Sequence, residues 1–279
     1  MENLGWVYSF CDEGIDALIS ICLCLWLIVD IGKTLPLFME LQTLGDRTCV
    51  SLIRSFSMRK KTNPQWEEIQ RYCKEKNLKS EDRPDTDCRL FKAKLDKLIK
   101  DIHKNKLFGI SIVVIYTIEF QKRGLPHAQI LLFLVAQDKF PAPEDIDRII
   151  SAEIPDPTLD PKYYEAVKSQ MMHGPCGIAR KNSPFLDNGH CSRHFPKKFV
   201  EFTTVNHDGY PVYRRRNDGR TIDIFGVPLD SCYVVPHNQY LLLKYGAHNN
   251  VEWCNQSHSI KYLFMYVNKG RDQATTSIY

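Results

Sequence analysis

The chain has 279 residues, of which 43% are hydrophobic and 25% charged, and its formal net charge at pH 7 is +4. This composition excludes a disordered or fibrous protein, and the length suffices for one or two hydrophobic cores. Ten cysteines occur at irregular spacing, without a cleavable secretory signal. This pattern is typical of the reduced thiols of an intracellular protein rather than of a disulfide framework.

The N-terminal part of the chain carries a long apolar run. Residues Ala17–Val29 read ALISICLCLWLIV and are bracketed by Asp16 and Asp30. The run is shorter than the ~20 residues that a membrane-spanning helix needs, so a buried helix is the favoured interpretation. A membrane anchor and a segment unrelated to the rest of the protein are the alternatives. Residues 1–57 are predicted to form an N-terminal extension, and residues 58–279 the functional domain.

The functional domain combines amphipathic helices with β-strands. Apolar residues recur at helical spacing between Asp87 and Lys104, which predicts a helix that packs on a sheet. Two β-branched and aromatic stretches, residues 110–119 and 127–136, predict an antiparallel strand pair. A short helix is predicted at residues 143–150, followed by a linker rich in Pro and Asp at 155–162. An irregular segment is predicted at 172–196, and a last helix at 259–268. The predicted fold class is α+β, an antiparallel sheet with flanking helices.

Positive charge is concentrated in two parts of the chain. Residues 51–125 carry 18 Lys or Arg against 10 Asp or Glu, which suits contact with phosphate groups. A solvated helix surface explains the same charge. The second basic cluster comprises Arg214, Arg215, Arg216 and the nearby Arg220.

Three polar residues of the strand pair are candidate ligands for a metal ion. Alternate residues of a strand share a face, so His127 and Gln129 point the same way. Glu119 ends the preceding strand, and a hairpin would bring it beside them. One imidazole and two oxygen donors suit Mg²⁺ or Mn²⁺ rather than structural zinc. On spacing alone, an ordinary hydrogen-bonded strand histidine is the simpler interpretation.

The last predicted helix carries two tyrosines on one face. Tyr262 and Tyr266 are four residues apart. Both lie roughly 110° to 150° from the centre of the apolar stripe of the helix, so they need not be buried. Two phenols at this spacing can serve as alternating nucleophiles, although aromatic residues packed at the edge of the core would give the same pattern.

Five strings, in order along the chain, carry a resemblance to a known family. They are YTIEFQKRGLPHAQILLFL (116–134), HGPCG (173–177), GYPVYRRR (209–216), VEWCNQS (251–257) and IKYLFMYVNKG (260–270). Together they resemble the Helitron helicase-like N-terminal family, the relaxase-like nuclease region of rolling-circle transposases, over residues 63–272. The resemblance implies an HUH-type endonuclease, named for two histidines that flank a hydrophobic residue, with a paired-tyrosine helix.

Carried over by position, the resemblance implies a role for individual residues. It makes His127 the first metal histidine, puts Gln129 in the place of the second, and makes Glu119 a candidate third ligand. It makes Tyr262 and Tyr266 the nucleophiles. The implied reaction is metal-dependent nicking and joining of single-stranded DNA through a 5′-phosphotyrosine intermediate, with Mg²⁺ or Mn²⁺ as cofactor and the nucleus as location. The basic residues expected to hold DNA phosphates are Lys122, Arg123, Arg214, Arg215 and Arg216.

The sequence departs from the family pattern at several positions. Gln129 stands where the family usually has histidine, and Met265 stands where the family usually has lysine. The family tends to have an apolar strand at the position of residues 58–61, which here read MRKK. These 279 residues hold no GxxxxGK[ST] string, so the helicase of the family is expected to be a separate partner. The departures motivate an alternative, a decayed transposon fragment that binds DNA without catalysis.

The cysteine region also departs from the pattern. Cys176 and Cys191 match a cysteine cluster of the family, but Phe185 stands where another cysteine is expected. Free thiols in a loop are one interpretation, and a structural zinc site is the other. The residues that could complete such a zinc site are His173, His194 and Cys254.

Overall fold

The structure is a computed structural model. It describes residues 9–10, 49–57, 66–79, 82–120, 125–138, 142–176, 180, 183, 186–207 and 209–254. The apolar run at 17–29, the predicted tyrosine helix at 259–268, and Lys122 and Arg123 lie outside these residues. Within the described ranges, no helix is both long enough and apolar enough to cross a membrane.

The described residues form five α-helices and eleven strands, most of the strands short. The helices are α1 (Glu67–Glu75), α2 (Pro84–His103), α3 (Pro143–Ile149), α4 (Pro161–Ala166) and α5 (Gln239–Tyr245). The strands are β1 (Ser9–Phe10), β2 (Cys49–Ser57), β3 (Ser111–Phe120), β4 (Pro126–Leu134), β5 (Leu186–Asp187), β6 (His190–Cys191), β7 (Thr204–Val205), β8 (Pro211–Val212), β9 (Ile222–Ile224), β10 (Val227–Leu229) and β11 (His248–Cys254). Single helical turns occupy Ala136–Asp138, Val167–Met171 and Ser231–Tyr233. Helices with antiparallel strand pairs confirm the predicted α+β class.

Chain contacts divide the molecule into two compact units. The first unit comprises Met1–Leu52, Pro84–Lys139 and Cys254–Tyr279. The second unit comprises Ile53–Arg83 and Phe140–Trp253. The domain boundary predicted after residue 57 stays a prediction.

In the first unit, β3 and β4 form the antiparallel hairpin that the sequence predicts. Ile130 and Leu132 on β4 are fully buried, and they lie opposite Tyr116 and Val114 on β3, which are buried as well. Helix α2 packs on this hairpin, as its apolar spacing predicts. The buried apolar residues of α2 follow each other at intervals of three and four, namely Phe91, Leu95, Leu98, Ile99 and Ile102.

The chain enters β3 through a tight turn at Gly109. This glycine has φ +100°, a conformation that L side chains rarely adopt. A Cβ atom at Gly109 would lie 2.7 Å from the Cβ atom of Asp138. The close approach lets the Asp138 carboxylate accept a hydrogen bond from the backbone N–H of Ile110, at 2.5 Å. The turn therefore requires glycine for both conformation and space.

The second unit builds its core from short elements. Tyr163, Val167 and Met171 come from α4 and the π-helical turn that follows it. Hairpin β9–β10 contributes Ile222, Ile224 and Leu229, and α5 contributes Leu242. The predicted short helix at 143–150 is confirmed as α3. Because these elements are short, much of the backbone in this unit depends on side-chain hydrogen bonds.

The predicted linker at residues 155–162 is partly wrong, because α4 begins inside it. The Asp156 carboxylate accepts hydrogen bonds from the backbone N–H groups of Thr158 and Leu159, which closes a turn. Asp160 then caps α4 by accepting from the backbone N–H of Tyr163, and Pro161 occupies the first helical position. The Asp-Pro pair is therefore a helix start rather than a linker signal.

Candidate functional site

The predicted ligands of the catalytic metal lie near the turn of the β3–β4 hairpin. The backbone register pairs Glu119 with His127, and Thr117 with Gln129. His127 is half-buried, and Gln129 is only 5% exposed. The side chain of Glu119 lies outside the description. The structure thus pairs the backbones of the two residues as a hairpin requires, and metal binding by these residues stays a prediction.

The second basic cluster is paired with acidic residues. Arg214 contacts Asp147 at 3.0 Å and Glu153 at 3.2 Å, and Arg216 contacts Glu153 at 2.8 Å. Burial raises the pKa of the Glu153 carboxyl, but hydrogen bonds and charge from Arg216, with the charge of Arg214, outweigh it and lower that pKa overall. Glu153 is therefore the shared acceptor that orders both arginines.

Arg215 plays a different part from its neighbours. Its side chain is only 3% exposed, and Nη1 donates to the backbone carbonyl oxygens of Ala152, Ser231 and Val234 at 3.1, 2.6 and 2.7 Å. Burial lowers the pKa of the guanidinium to about 10. The sequence predicts that Arg215 holds a DNA phosphate, but a guanidinium enclosed by carbonyl groups is not accessible to one. This corrects the expectation for Arg215, which instead joins three backbone segments.

A buried histidine that no sequence motif singles out lies in the same unit. His237 is fully buried, and its Nδ1 is 2.9 Å from the carbonyl oxygen of Val235. Because a carbonyl only accepts, Nδ1 carries the proton, and Nε2 accepts from the Tyr163 hydroxyl at 2.7 Å. Burial lowers the pKa of His237 to about 4 and raises that of Tyr163 to about 12. The ring is therefore neutral at physiological pH.

Three potential metal ligands come together elsewhere in the second unit. His173, Cys176 and Cys191 are buried, and one ligand atom of each lies within 4.8 Å of the others. The Sγ atom of Cys191 is 3.3 Å from Nε2 of His173. Of the side chains that the structure describes, no other His, Cys, Asp or Glu joins this group. We call these three residues the Cys–His cluster.

Local structure holds the Cys–His cluster in place. Cys191 ends β6 and begins a turn, in which the backbone N–H of Arg193 donates to the Cys191 Sγ at 3.4 Å. The His173 ring stacks on Phe195, with the ring centroids 4.2 Å apart. Burial and a hydrogen bond with Cys191 raise the pKa of the Cys176 thiol to about 11.

The sequence names two further residues for this zinc site. His194 is exposed and does not join the described group of ligand atoms. Cys254 ends β11, and its side chain lies outside the description.

Comparison with known families identifies one part of the chain. Residues 61–132 match the Helitron helicase-like domain at N-terminus. The resemblance predicted from the sequence is thereby confirmed for this segment, and it supports a function related to Helitron transposition. No curated protein matches the chain.

The Helitron-like segment, residues 61–132, contains one of the two candidate metal sites. It includes α1, α2, β3 and most of β4, and with them Glu119, His127 and Gln129. Three features follow this segment in the sequence: the Cys–His cluster, the second basic cluster, and the two tyrosines of the last predicted helix. The match therefore covers the residues predicted to bind the metal ion. The two tyrosines lie outside the match, and their predicted role depends on the sequence resemblance alone.

Proposed function

We propose that this chain is a metal-dependent nuclease that nicks single-stranded DNA and transfers the cut strand. In this proposal Tyr262 and Tyr266 are the nucleophiles, and His127, Gln129 and Glu119 hold Mg²⁺ or Mn²⁺. The observation that carries the proposal is the register of the β3–β4 hairpin, which pairs Glu119 with His127 inside the Helitron-like segment. Action in the nucleus and cooperation with a separate helicase belong to the same proposal.

The residues of the hairpin fit a divalent metal ion of this class. An imidazole and two side-chain oxygen donors form a set that Mg²⁺ and Mn²⁺ accept. The half-burial of His127 leaves part of the residue open to solvent and substrate. Such an ion would polarise the scissile phosphate, which offsets the weak nucleophilicity of a phenol with a pKa near ~10. Gln129 supplies a neutral oxygen in place of an imidazole nitrogen, so we expect weaker binding than a two-histidine site would give.

The tyrosines would carry out the covalent steps. The hydroxyl oxygen of Tyr262 or Tyr266 attacks the phosphorus atom of a phosphodiester, and an O–P bond to the tyrosine forms. The bond from phosphorus to the 3′ oxygen breaks, and that oxygen takes up a proton to give a free 3′-OH. In the reverse step a 3′-OH attacks the phosphotyrosine, which releases the tyrosine and joins the strands. Two tyrosines allow a second cleavage while the first is still bonded to DNA.

The positive residues of the chain differ in how well they suit phosphate contact. Arg214 and Arg216 already pair with carboxylates, although the side chain of Arg216 is 51% exposed. Arg215 is buried and takes no part. We therefore assign the main phosphate contacts to Lys122 and Arg123, which precede β4 in the sequence.

A covalent DNA adduct is the direct test of this function. The full chain is incubated with Mn²⁺ and a pool of single-stranded DNA that is labelled at either the 3′ or the 5′ end. Because a 5′-phosphotyrosine retains the 3′ part of the strand, the 3′ label is expected in a denaturation-resistant protein adduct. The 5′ label is expected only in shortened free DNA.

Variants assign the reaction to residues. The double variant Tyr262→Phe, Tyr266→Phe is expected to form no adduct, and His127→Ala to form at least about 100-fold less. Tyr240→Phe is the matched control, because Tyr240 is an exposed tyrosine on α5 and has no role in the proposal. DNA binding without any adduct would support the decayed fragment instead, and an adduct that survives in the double variant would refute the assignment of the tyrosines.

A further inference from the structure

The Cys–His cluster has the donor chemistry of a zinc site that is separate from the proposed catalytic centre. We propose that His173, Cys176 and Cys191 bind one Zn²⁺ ion, which stabilises the segment from His173 to Phe195. Two sulfur donors and one imidazole are soft or borderline ligands, which zinc prefers and Mg²⁺ does not. All three are buried, which distinguishes them from the exposed acidic groups that commonly occur without an ion.

The distances within the cluster are close to those of a bound zinc ion. Zinc lies about 2.3 Å from a cysteine sulfur and about 2.0 Å from a histidine nitrogen, so in a tetrahedral site these two ligand atoms are about 3.5 Å apart. Cys191 Sγ and His173 Nε2 are 3.3 Å apart, and no pair in the cluster exceeds 4.8 Å. Small side-chain movements would therefore complete the geometry.

The surroundings of the cluster orient the ligands. The stacking of the His173 ring on Phe195 fixes the plane of the imidazole, with Nε2 directed at Cys191. The backbone N–H of His173 donates to the carbonyl oxygen of Tyr233 at 2.8 Å, which anchors the start of the segment. The backbone N–H group of Arg193 donates to Cys191 Sγ at 3.4 Å, which holds this sulfur in position. Ligands fixed by other contacts lose less entropy when a metal binds.

The chain between the ligands explains what the ion would stabilise. In the described part of residues 173–195, the regular elements are the two-residue strands β5 and β6, which pair with each other. Such a segment gains little from backbone hydrogen bonds, and the binding site forms only when the chain folds, so the free energy of zinc binding adds to the free energy of folding. Zinc would thus contribute to folding of the second unit.

The coordination expected of this site differs from a closed four-ligand site. Three described side chains supply ligands, so we expect water or another small ligand in the fourth position. A disulfide between Cys176 and Cys191 is the rival arrangement. A disulfide would not explain why the imidazole of His173 points at Cys191, and it would need an oxidising environment.

Metal content tests the proposal directly on the full chain. The protein is purified under reducing conditions, loaded with Zn²⁺, dialysed and analysed for zinc by mass spectrometry. We expect Cys176→Ser and Cys191→Ser each to lower the zinc content by about one ion per chain relative to the wild type. Cys232→Ser is the matched control, because Cys232 is another buried cysteine of the second unit outside the cluster, and its zinc content is expected to be unchanged. Equal zinc content in all four proteins would overturn the proposal.

Two further measurements keep the proposal testable if the serine variants do not fold. His173→Cys retains a set of three soft ligands, so this variant should still bind Co²⁺ and should show a stronger thiolate-to-cobalt absorption band than the wild type. In the wild type, a chelator should increase alkylation of Cys176 and Cys191 more than alkylation of Cys232. Unchanged alkylation after chelation, or a Cys176–Cys191 disulfide in protein alkylated before reduction, would refute the zinc site. Neither result would affect the proposed nuclease function.

Discussion

The β3–β4 hairpin and the surroundings of Arg215 stabilise buried backbone in opposite ways. In the hairpin, the strands pair with each other, and apolar residues such as Ile130 and Leu132 are fully buried. Around Arg215, one guanidinium binds three carbonyl oxygens, and His237 and Tyr163 bind each other. The buried residues of the hairpin are therefore mostly apolar, whereas buried polar side chains hold the irregular chain around Arg215.

Replacement of Arg215 is expected to cause the largest loss of stability among these tests, because the second unit depends on its polar contacts. Arg215→Leu would remove the side-chain donor from the carbonyl oxygens of Ala152, Ser231 and Val234. Within the described residues, only the Ser231 carbonyl of these three also accepts a backbone hydrogen bond, from Val234. Each unsatisfied group costs about 1–3 kcal/mol, so we expect the free energy of unfolding to fall by about 3–5 kcal/mol in urea denaturation.

A surface arginine provides the control for this experiment. Arg220 pairs with Asp156 and Asp218 and is partly exposed, so Arg220→Leu should cost about 1 kcal/mol or less. Equal losses in the two variants would show that the buried guanidinium is not what stabilises this unit.

His237 makes the stability of the second unit depend on pH. The pKa of the folded imidazole is about 4, below its usual value of 6.5. Above pH 6.5 the imidazole ring is mostly neutral in both the folded and the unfolded chain. As the pH falls toward 4, the ring becomes protonated in the unfolded chain before it becomes protonated in the folded chain. The free energy of unfolding should thus decrease by about 3 kcal/mol from this group. His237→Gln should lose less stability than the wild type between pH 7 and pH 4, and parallel curves would contradict this account.

A smaller effect is expected at the turn that leads into the hairpin. Gly109→Ala would force its Cβ atom against Asp138 in a backbone conformation with φ +100°, at a cost of about 2 kcal/mol or more. Gly226→Ala also has a positive φ, but its Cβ atom would meet no neighbour within 4 Å. We expect about 1 kcal/mol there, from backbone strain alone. If thermal denaturation gave equal losses, the close approach of Asp138 would not matter.

The two regions also differ in how far the sequence predicts them. The helix α2, the strands of the hairpin and the Glu119–His127 pairing follow from periodicity and turn residues, which act over short stretches of chain. The burial of Arg215 does not follow from its position in a run of arginines. Its partners lie 16 to 63 residues away, and no local pattern reports such contacts.

The Cys–His cluster is predicted from the sequence less completely than the hairpin but better than the burial of Arg215. The family resemblance groups Cys176 with Cys191, and the sequence offers His173 as a residue that could complete a zinc site with them. The sequence alone offered both His194 and Cys254 as further ligands, because residue type does not reveal which side chains converge. Ring stacking of His173 on Phe195 and the turn after Cys191 decide the geometry, and neither is visible in composition or spacing.

In the proposed reaction, a tyrosine of the last predicted helix becomes bonded to DNA. Trypsin cleaves after Lys261 and Lys269, so a single peptide, residues 262–269, contains both proposed nucleophiles. After reaction with single-stranded DNA and Mn²⁺, followed by nuclease digestion, mass spectrometry should find this peptide with a nucleotide linked through phosphate to Tyr262 or Tyr266. A nucleotide linked to any other residue, or no modified peptide despite DNA cleavage, would contradict the account.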